Sequence, residues 1–200
     1  MSSTNRSNAR KEHVSDYYVT PVDAIVHFLK NIDDPDLLNK FNCTNGGYIF
    51  DPCAGGDKNR PMSYPTAIKE VFSVVDDICT MDIRGDSRAD IKTDYLTYDF
   101  NDIQRPTIII TNPPFKDAQA IIEKALSDVS DDGYVIMLLR LNFFGSKSRL
   151  DFWKKHMPLY AYVHSQRMSF TEEGTTDSIE YMHCIWNKFH YPQFTKLRVI

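Results

Sequence analysis

Apolar positions fall in short blocks along the chain, and the spacing inside each block decides the element it predicts. Thr107-Ile108-Ile109-Ile110 is an unbroken run, stopped by Thr111, Asn112 and two prolines. A run with no polar face fits a strand covered on both sides, as in the middle of a parallel sheet. It must end there, because proline has no N–H to give to the ladder. Shorter blocks predict further strands over Gly47–Asp51, Ile78–Asp82, Ala89–Lys92 (brief), Tyr134–Leu141, Tyr160–His164 and Ile179–Trp186. Helical spacing appears at Val22, Ile25, Val26, Phe28 and Leu29, behind a Thr20-Pro21 start that places proline in the first turn. It recurs at Ala118, Ile121, Ile122, Ala125 and Leu126. A helix over Tyr64–Phe72 and a basic one over Leu150–His156, ended by Pro158, complete the set, while Val74-Val75 is too short to assign. Strand and helix alternate, and then the last two strands follow directly through the loop at 172–177. That order predicts an α/β fold: a doubly wound, mostly parallel sheet closed by an antiparallel hairpin. His183 and Cys184 are neighbours in the last strand, so they should face opposite sides of it.

Two hundred residues with 42% hydrophobic content suit one domain with a sizeable core. Met1 to Lys11 is polar and rich in Ser and Asn, which predicts a flexible arm over residues 1–14 and a single domain over 15–200, with no signal peptide. No apolar run approaches the roughly 20 residues needed to span a bilayer, so a cytoplasmic protein with no membrane partner is expected. The four cysteines (Cys43, Cys53, Cys79, Cys184) show no short pair spacing, and free thiols in a reducing compartment are expected, with no metal site. Net charge is −4, but Arg140 to Arg167 holds six cations against Asp151, and Met1 to Lys11 holds three against no acid. A basic stretch in an acidic chain suits a phosphate backbone; a solvated helix face gives the same pattern.

Asn112-Pro113-Pro114-Phe115 follows the buried isoleucine strand, and open α/β sheets bind ligands at the carboxyl ends of their strands. Asn-Pro also serves as an ordinary strand terminator. As a site, however, the loop offers one amide side chain, main-chain carbonyls that no helix or strand uses, and one aromatic ring. Those groups suit a planar ligand bearing an amino donor. In this motif the sequence resembles amino-methyltransferases that use S-adenosylmethionine, above all DNA adenine methyltransferases with an Asn-Pro-Pro-Phe/Tyr motif.

The resemblance implies a class I, Rossmann-like methyltransferase fold and catalytic roles for Asn112, Pro113, Pro114 and Phe115. Asp51-Pro52-Cys53-Ala54-Gly55 resembles the family's Asp-Pro-Phe-x-Gly-x-Gly cofactor loop, with Asp51 at the methionine end of the cofactor. The match departs at Cys53, which replaces Phe, and at Asp57, which replaces the last Gly, while Gly56 is extra. Asp82, at the end of the second strand, is placed to accept both ribose hydroxyls, with Asp86 and Asp90 as rivals. Asp94-Tyr95-Leu96 resembles the Asp-Phe-Leu segment that receives the cofactor adenine, with Asp99 as a rival acid. Tyr18-Val19-Thr20-Pro21 resembles the Tyr-x-Thr-Pro element near the methionine carboxylate, where a helix start supplies donors. Asn112 borders the cofactor as well.

The implied chemistry is methyl transfer to the N6 amino group of adenine, without metal or covalent enzyme intermediate. The implied partner is DNA, as a duplex whose target adenine is flipped out of the stack. RNA adenine and protein glutamine present the same planar NH₂ and remain alternatives. So does an inactive methyltransferase-fold subunit that binds nucleic acid. Gly55 and Asn112 are too close in sequence for a recognition domain between them, so loops or a separate specificity subunit would read the target.

Overall fold

The three isoleucines occupy the centre of the sheet, and the rest of the fold is arranged to cover them. The computed structural model describes residues 19–42, 47–72, 77–100, 104–170 and 179–200. In chain order the elements are α1 (Val22–Asn31), α2 (Pro35–Asn42), β1 (Ile49–Asp51), α3 (Ser63–Val71), β2 (Ile78–Asp82), β3 (Ile91–Lys92) and β4 (Ile108–Thr111). There follow α4 (Ala118–Asp128), β5 (Tyr134–Arg140), α5 (Leu150–Lys155), β6 (Tyr160–Val163), β7 (Tyr181–Asn187) and β8 (Lys196–Val199). Short 3-10 turns sit between several of them.

Among the described residues the sheet has eight strands in the order β3-β2-β1-β4-β5-β7-β6-β8. β7 alone runs against the others. The order turns between β1 and β4, where β2 leads off to one side and β5 to the other. This is the doubly wound arrangement, and the turning point is where such sheets open a crevice.

Alternation along each strand assigns the two faces. Ile108 and Ile110 pack with Ile25, Phe28 and Leu29 of α1 and with Ala67 and Ile68 of α3. Ile109 points the other way, toward Phe50, Ile122 and Ala125. All three isoleucines are fully buried, and each burial is worth about 1.5–3 kcal/mol relative to exposure. His183 stacks on Phe28 at 3.9 Å while Cys184 joins the α4 face, as the two-residue period requires.

Three elements differ from the sequence expectation. The strand expected over Ala89–Lys92 shrinks to Ile91–Lys92, because Asp90 turns its carboxylate to accept from the Thr80 N–H (3.1 Å) and hydroxyl (2.6 Å). The β6–β7 hairpin is present but does not close the sheet. β8 adds a parallel edge beyond it, and its four residues are all exposed, so no apolar run marks it. The acidic stretch around Asp34 conceals α2, whose start is capped by Asp34 Oδ1 on the Leu37 N–H and whose buried face is only Leu37 and Phe41. Val74 and Val75 lie outside the described residues.

One buried polar chain crosses the α1/α3 face. Tyr64 Oη lies 3.0 Å from His183 Nε2, and His183 Nδ1 lies 2.8 Å from His164 Nε2. Burial drives the His164 pKa down to about 4 and that of His183 well below the usual imidazole range. Both rings therefore stay neutral in the fold, whereas the unfolded chain takes up protons near pH 6.5. The stability that depends on these rings is intact above pH 6.5 and falls as pH drops toward 4. Asp51, described below, acts with the opposite sign over the same range, so the difference from a variant isolates the histidines. Urea unfolding of His183→Phe should lose less stability between pH 6.5 and 4.5 than unfolding of the unaltered chain. Parallel curves would show that the pair does not titrate on unfolding.

Candidate active site

The carboxyl ends of β1 and β4 lie side by side at the turning point of the sheet, and a cavity of about 330 Å³ opens above them. That volume is at the lower end of small-molecule sites. Four loops build its wall: Val19-Thr20 before α1, Pro52–Gly56 after β1, Asp82–Arg84 after β2, and Asn112–Asp117 after β4, joined by Asp94–Leu96.

After β1 the chain turns through two residues in the left-handed region, Gly55 (φ 65°) and Gly56 (φ 70°). A Cβ on Gly56 would stand 2.9 Å from the Met62 Cγ and 3.2 Å from its backbone N, so the position excludes a side chain on two grounds. Gly56→Ala should therefore weaken ligand binding in this cavity at least tenfold with the fold retained. Isothermal titration with S-adenosylmethionine is the check, and unchanged affinity would show that the turn is not needed. Asp57, the residue in place of the family's last glycine, turns away from the cavity and accepts from the N–H groups of Asn59 (2.8 Å) and Arg60 (3.0 Å). It is not part of the wall.

The acids divide by location. Asp82 lines the cavity, and its carboxylate braces the loops: Oδ2 accepts from the Gly55 N–H (2.8 Å) and Oδ1 from the Arg84 N–H (2.8 Å). Asp94 also lines it and caps a 3-10 turn through the Leu96 N–H (2.9 Å). The rivals Asp86, Asp90 and Asp99 do not reach the wall. Asp51 lies beneath the wall, fully buried; Oδ1 accepts from the Cys53 N–H at 3.2 Å, and Oδ2 has no partner. Burial pushes its pKa up to about 7; the Thr111 hydroxyl and the Cys53 N–H pull it down, and the charge of Asp82 pushes it up.

Tyr95 reaches the wall while its ring packs near Phe50 and its hydroxyl donates to Asp128 at 2.9 Å. The apolar groups exposed at the cavity are its neighbours, Leu96 (38% exposed) and Ile83 (58% exposed). Leu96 belongs to the Asp94-Tyr95-Leu96 segment, whereas Ile83 was not singled out; its place directly after Asp82 is the signal that could have found it. Ser63, Tyr64, Lys116 and Ile121 also line the cavity and carry no sequence motif. Pro21 flanks the start of α1 outside the wall, and Tyr18 lies outside the described residues.

The Asn112 side chain is held by its amide: Nδ2 donates to the Thr20 Oγ1 at 2.9 Å, and Thr20 is itself buried. This leaves Asn112 Oδ1 buried without a partner. Among the described residues the Pro113 carbonyl also accepts no hydrogen bond, whereas that of Pro114 accepts from the Asp117 N–H at 3.0 Å. Two acceptors thus stand on consecutive residues of a loop stiffened by two prolines. A buried acceptor left unpaired, as Asn112 Oδ1 is, costs about 1–3 kcal/mol, and a ligand donor would recover that cost. Phe115, half-buried, closes the group beside them.

This architecture is that of the class I methyltransferases, by likeness of fold. A Listeria monocytogenes protein assigned to the class I S-adenosylmethionine-dependent methyltransferases superposes with a TM-score of 0.63 at 15% identity, over 96% of this chain and 68% of that one. A Pyrococcus horikoshii protein assigned as an RNA methyltransferase gives 0.59 at 14% identity, over 90% and 91%. The type IIL restriction-modification enzyme MmeI, solved in complex with DNA, gives 0.57 at 12% identity, over 90% of this chain and 38% of that one. No protein-family model matches the sequence, and no curated protein matches it. No helix among the described residues is long and apolar enough to cross a membrane.

Proposed function

We propose that the protein transfers a methyl group from S-adenosylmethionine to the exocyclic N6 amino group of adenine in DNA. The observation that carries this is the pair of unsatisfied acceptors, Asn112 Oδ1 and the Pro113 carbonyl, on the rim of a cavity with an acidic wall. The residues present fit the cofactor: Asp82 and Asp94 in the wall, with Asp51 behind it, suit a cationic ligand, and Ile83 and Leu96 suit a planar ring. Asp82 and Asp94 would hold the ribose and adenine, and the Pro52–Gly55 loop with the Thr20 element would hold the methionine end. When bound, S-adenosylmethionine supplies an electrophilic methyl group.

An aromatic amine is a poor nucleophile because its lone pair is spread into the ring. Asn112 Oδ1 and the Pro113 carbonyl, each accepting one N–H, draw the nitrogen toward tetrahedral geometry and free that lone pair. As positive charge develops on the nitrogen, the same two dipoles stabilise it without reorganising. Phe115 stacks on the base, and positioning contributes the rest. A base in duplex DNA must leave the stack to reach this loop. The basic Arg140–Arg167 stretch and MmeI's complex with DNA support a nucleic-acid substrate. Loops of this chain or a separate specificity subunit would select the target.

The Pyrococcus relative favours one second reading, methylation of adenine in RNA. The experiment that separates them offers labelled S-adenosylmethionine with unmethylated duplex DNA, RNA and protein extract in parallel, followed by nucleoside analysis. Label in N6-methyladenine of DNA is the expected result. Label in RNA or protein keeps the chemistry and moves the substrate. Cofactor binding without transfer would leave a binding subunit.

A further inference from the structure

Arg140 ends β5, the strand that lies beside β4, and its guanidinium carbon sits 4.0 Å from the centroid of the Phe115 ring. The side chain is half-buried, and its Nε is buried with no acceptor. Among the described residues no carboxylate pairs with it. Two other half-buried arginines contrast with it. Arg84 pairs with Asp82 and donates to the Gly56 carbonyl at 2.7 Å, and Arg149, which also covers a ring (Phe143), donates to the Phe143 carbonyl at 3.0 Å. A guanidinium that is always charged, partly desolvated and unpaired is expensive, and an anion brought by a ligand would relieve it.

Resting on the DNA reading above, we propose that Arg140 is a binding site for a backbone phosphodiester of the target strand, next to the base held against Phe115. Arg140 lies over the Phe115 ring, which also packs against Tyr181 with the ring centroids 5.9 Å apart. The same guanidinium therefore orients Phe115 and presents a fork that matches a phosphate bidentately. Lys116, which pairs with Asp117 at 3.6 Å, directly follows Phe115, and Lys147 begins a 3-10 turn between β5 and α5. Arg140 is not part of the cavity wall, so it can act on nucleic acid without acting on the cofactor.

The test measures binding of a fluorescent duplex with one adenine opposite an abasic position, across a KCl series, for the unaltered chain, Arg140→Gln and Arg140→Lys. Each phosphate contact contributes about 0.9 to the slope of log affinity against log salt. Arg140→Gln should bind roughly tenfold more weakly, with a slope shallower by about that amount, and Arg140→Lys should keep the slope. Affinity for S-adenosylmethionine should equal that of the unaltered chain in both variants, which also verifies their folding. A second measurement needs no variant: a neutral methylphosphonate placed at successive linkages should weaken binding at a linkage of the target nucleotide. The loss should disappear when Arg140→Gln is used instead. An unchanged slope in Arg140→Gln, no sensitive linkage, or no binding of the duplex by the unaltered chain would overturn the proposal. Absence of methyl transfer with the slope change present would overturn the DNA adenine reading and leave the phosphate site standing.

Discussion

Asn112→Ala is expected to lower turnover by about two to three orders of magnitude while leaving the affinity for S-adenosylmethionine near normal. The size follows from removing one preorganised dipole aimed at developing charge. The selectivity follows from geometry. The Asn112 amide bridges to Thr20 Oγ1, while the cavity-lining acids Asp82 and Asp94 stand on other loops with hydrogen bonds of their own. Thr20 supplies a second measurement. Thr20→Val keeps the shape and removes the acceptor of the Asn112 Nδ2, so the amide is free to rotate and its Oδ1 is no longer fixed. An intermediate loss of turnover, rescued in Thr20→Ser, would show that the tether positions the oxygen. Equal loss of turnover and of cofactor binding in Asn112→Ala would mean that the side chain serves the cofactor rather than the amine.

The parts of this protein that were legible in its sequence are those where one residue type has one physical reason to be present. Ile108–Ile110 could only be a strand buried on both faces, and Pro113-Pro114 could only end it, which placed the loop at the sheet's opening. His183 and Cys184 took opposite faces because a strand gives no other choice. The elements that escaped are governed by their surroundings. β8 exposes all four of its residues and exists because β6 presents an open edge, so its own pattern carries no signal. α2 buries only two residues and begins inside an acidic run, so its apolar spacing is too sparse to mark it.

The candidate site divides the same way. Asn112, Asp82 and Asp94 were legible as cavity-lining residues because such sheets open their crevice at the carboxyl ends of the strands. The exposure of Ile83 and Leu96 was not visible, since an apolar residue in a strand-end loop reads equally as core. Asp57 stands where the loop it resembles has its last glycine. In the fold it is a turn cap, and the left-handed residues are Gly55 and Gly56 instead. The orphaned Nε of Arg140 is a property of packing alone.

The second large effect is expected at Asp51. Burial raises its pKa from the ordinary 3.8 to about 7, so the carboxyl is protonated below that pH and ionised above it. A cationic ligand in the cavity above favours the ionised form. Binding of S-adenosylmethionine near pH 6.5 should therefore release a proton from Asp51, and affinity should rise with pH through about 7 and then level off. Isothermal titration at pH 6.5 in two buffers of different ionisation enthalpy would report that proton directly. Asp51→Asn should abolish both the proton release and the pH dependence, with affinity at pH 8 at least tenfold weaker, about 1.4 kcal/mol. The variant should fold. Because the pKa is raised on folding, ionising Asp51 costs stability as pH rises from 3.8 to 7, and a neutral isostere avoids that cost while its oxygen still accepts from the Cys53 N–H. A proton released equally by the unaltered chain and by Asp51→Asn would assign the titration to another group and remove Asp51 from the cofactor's charge balance.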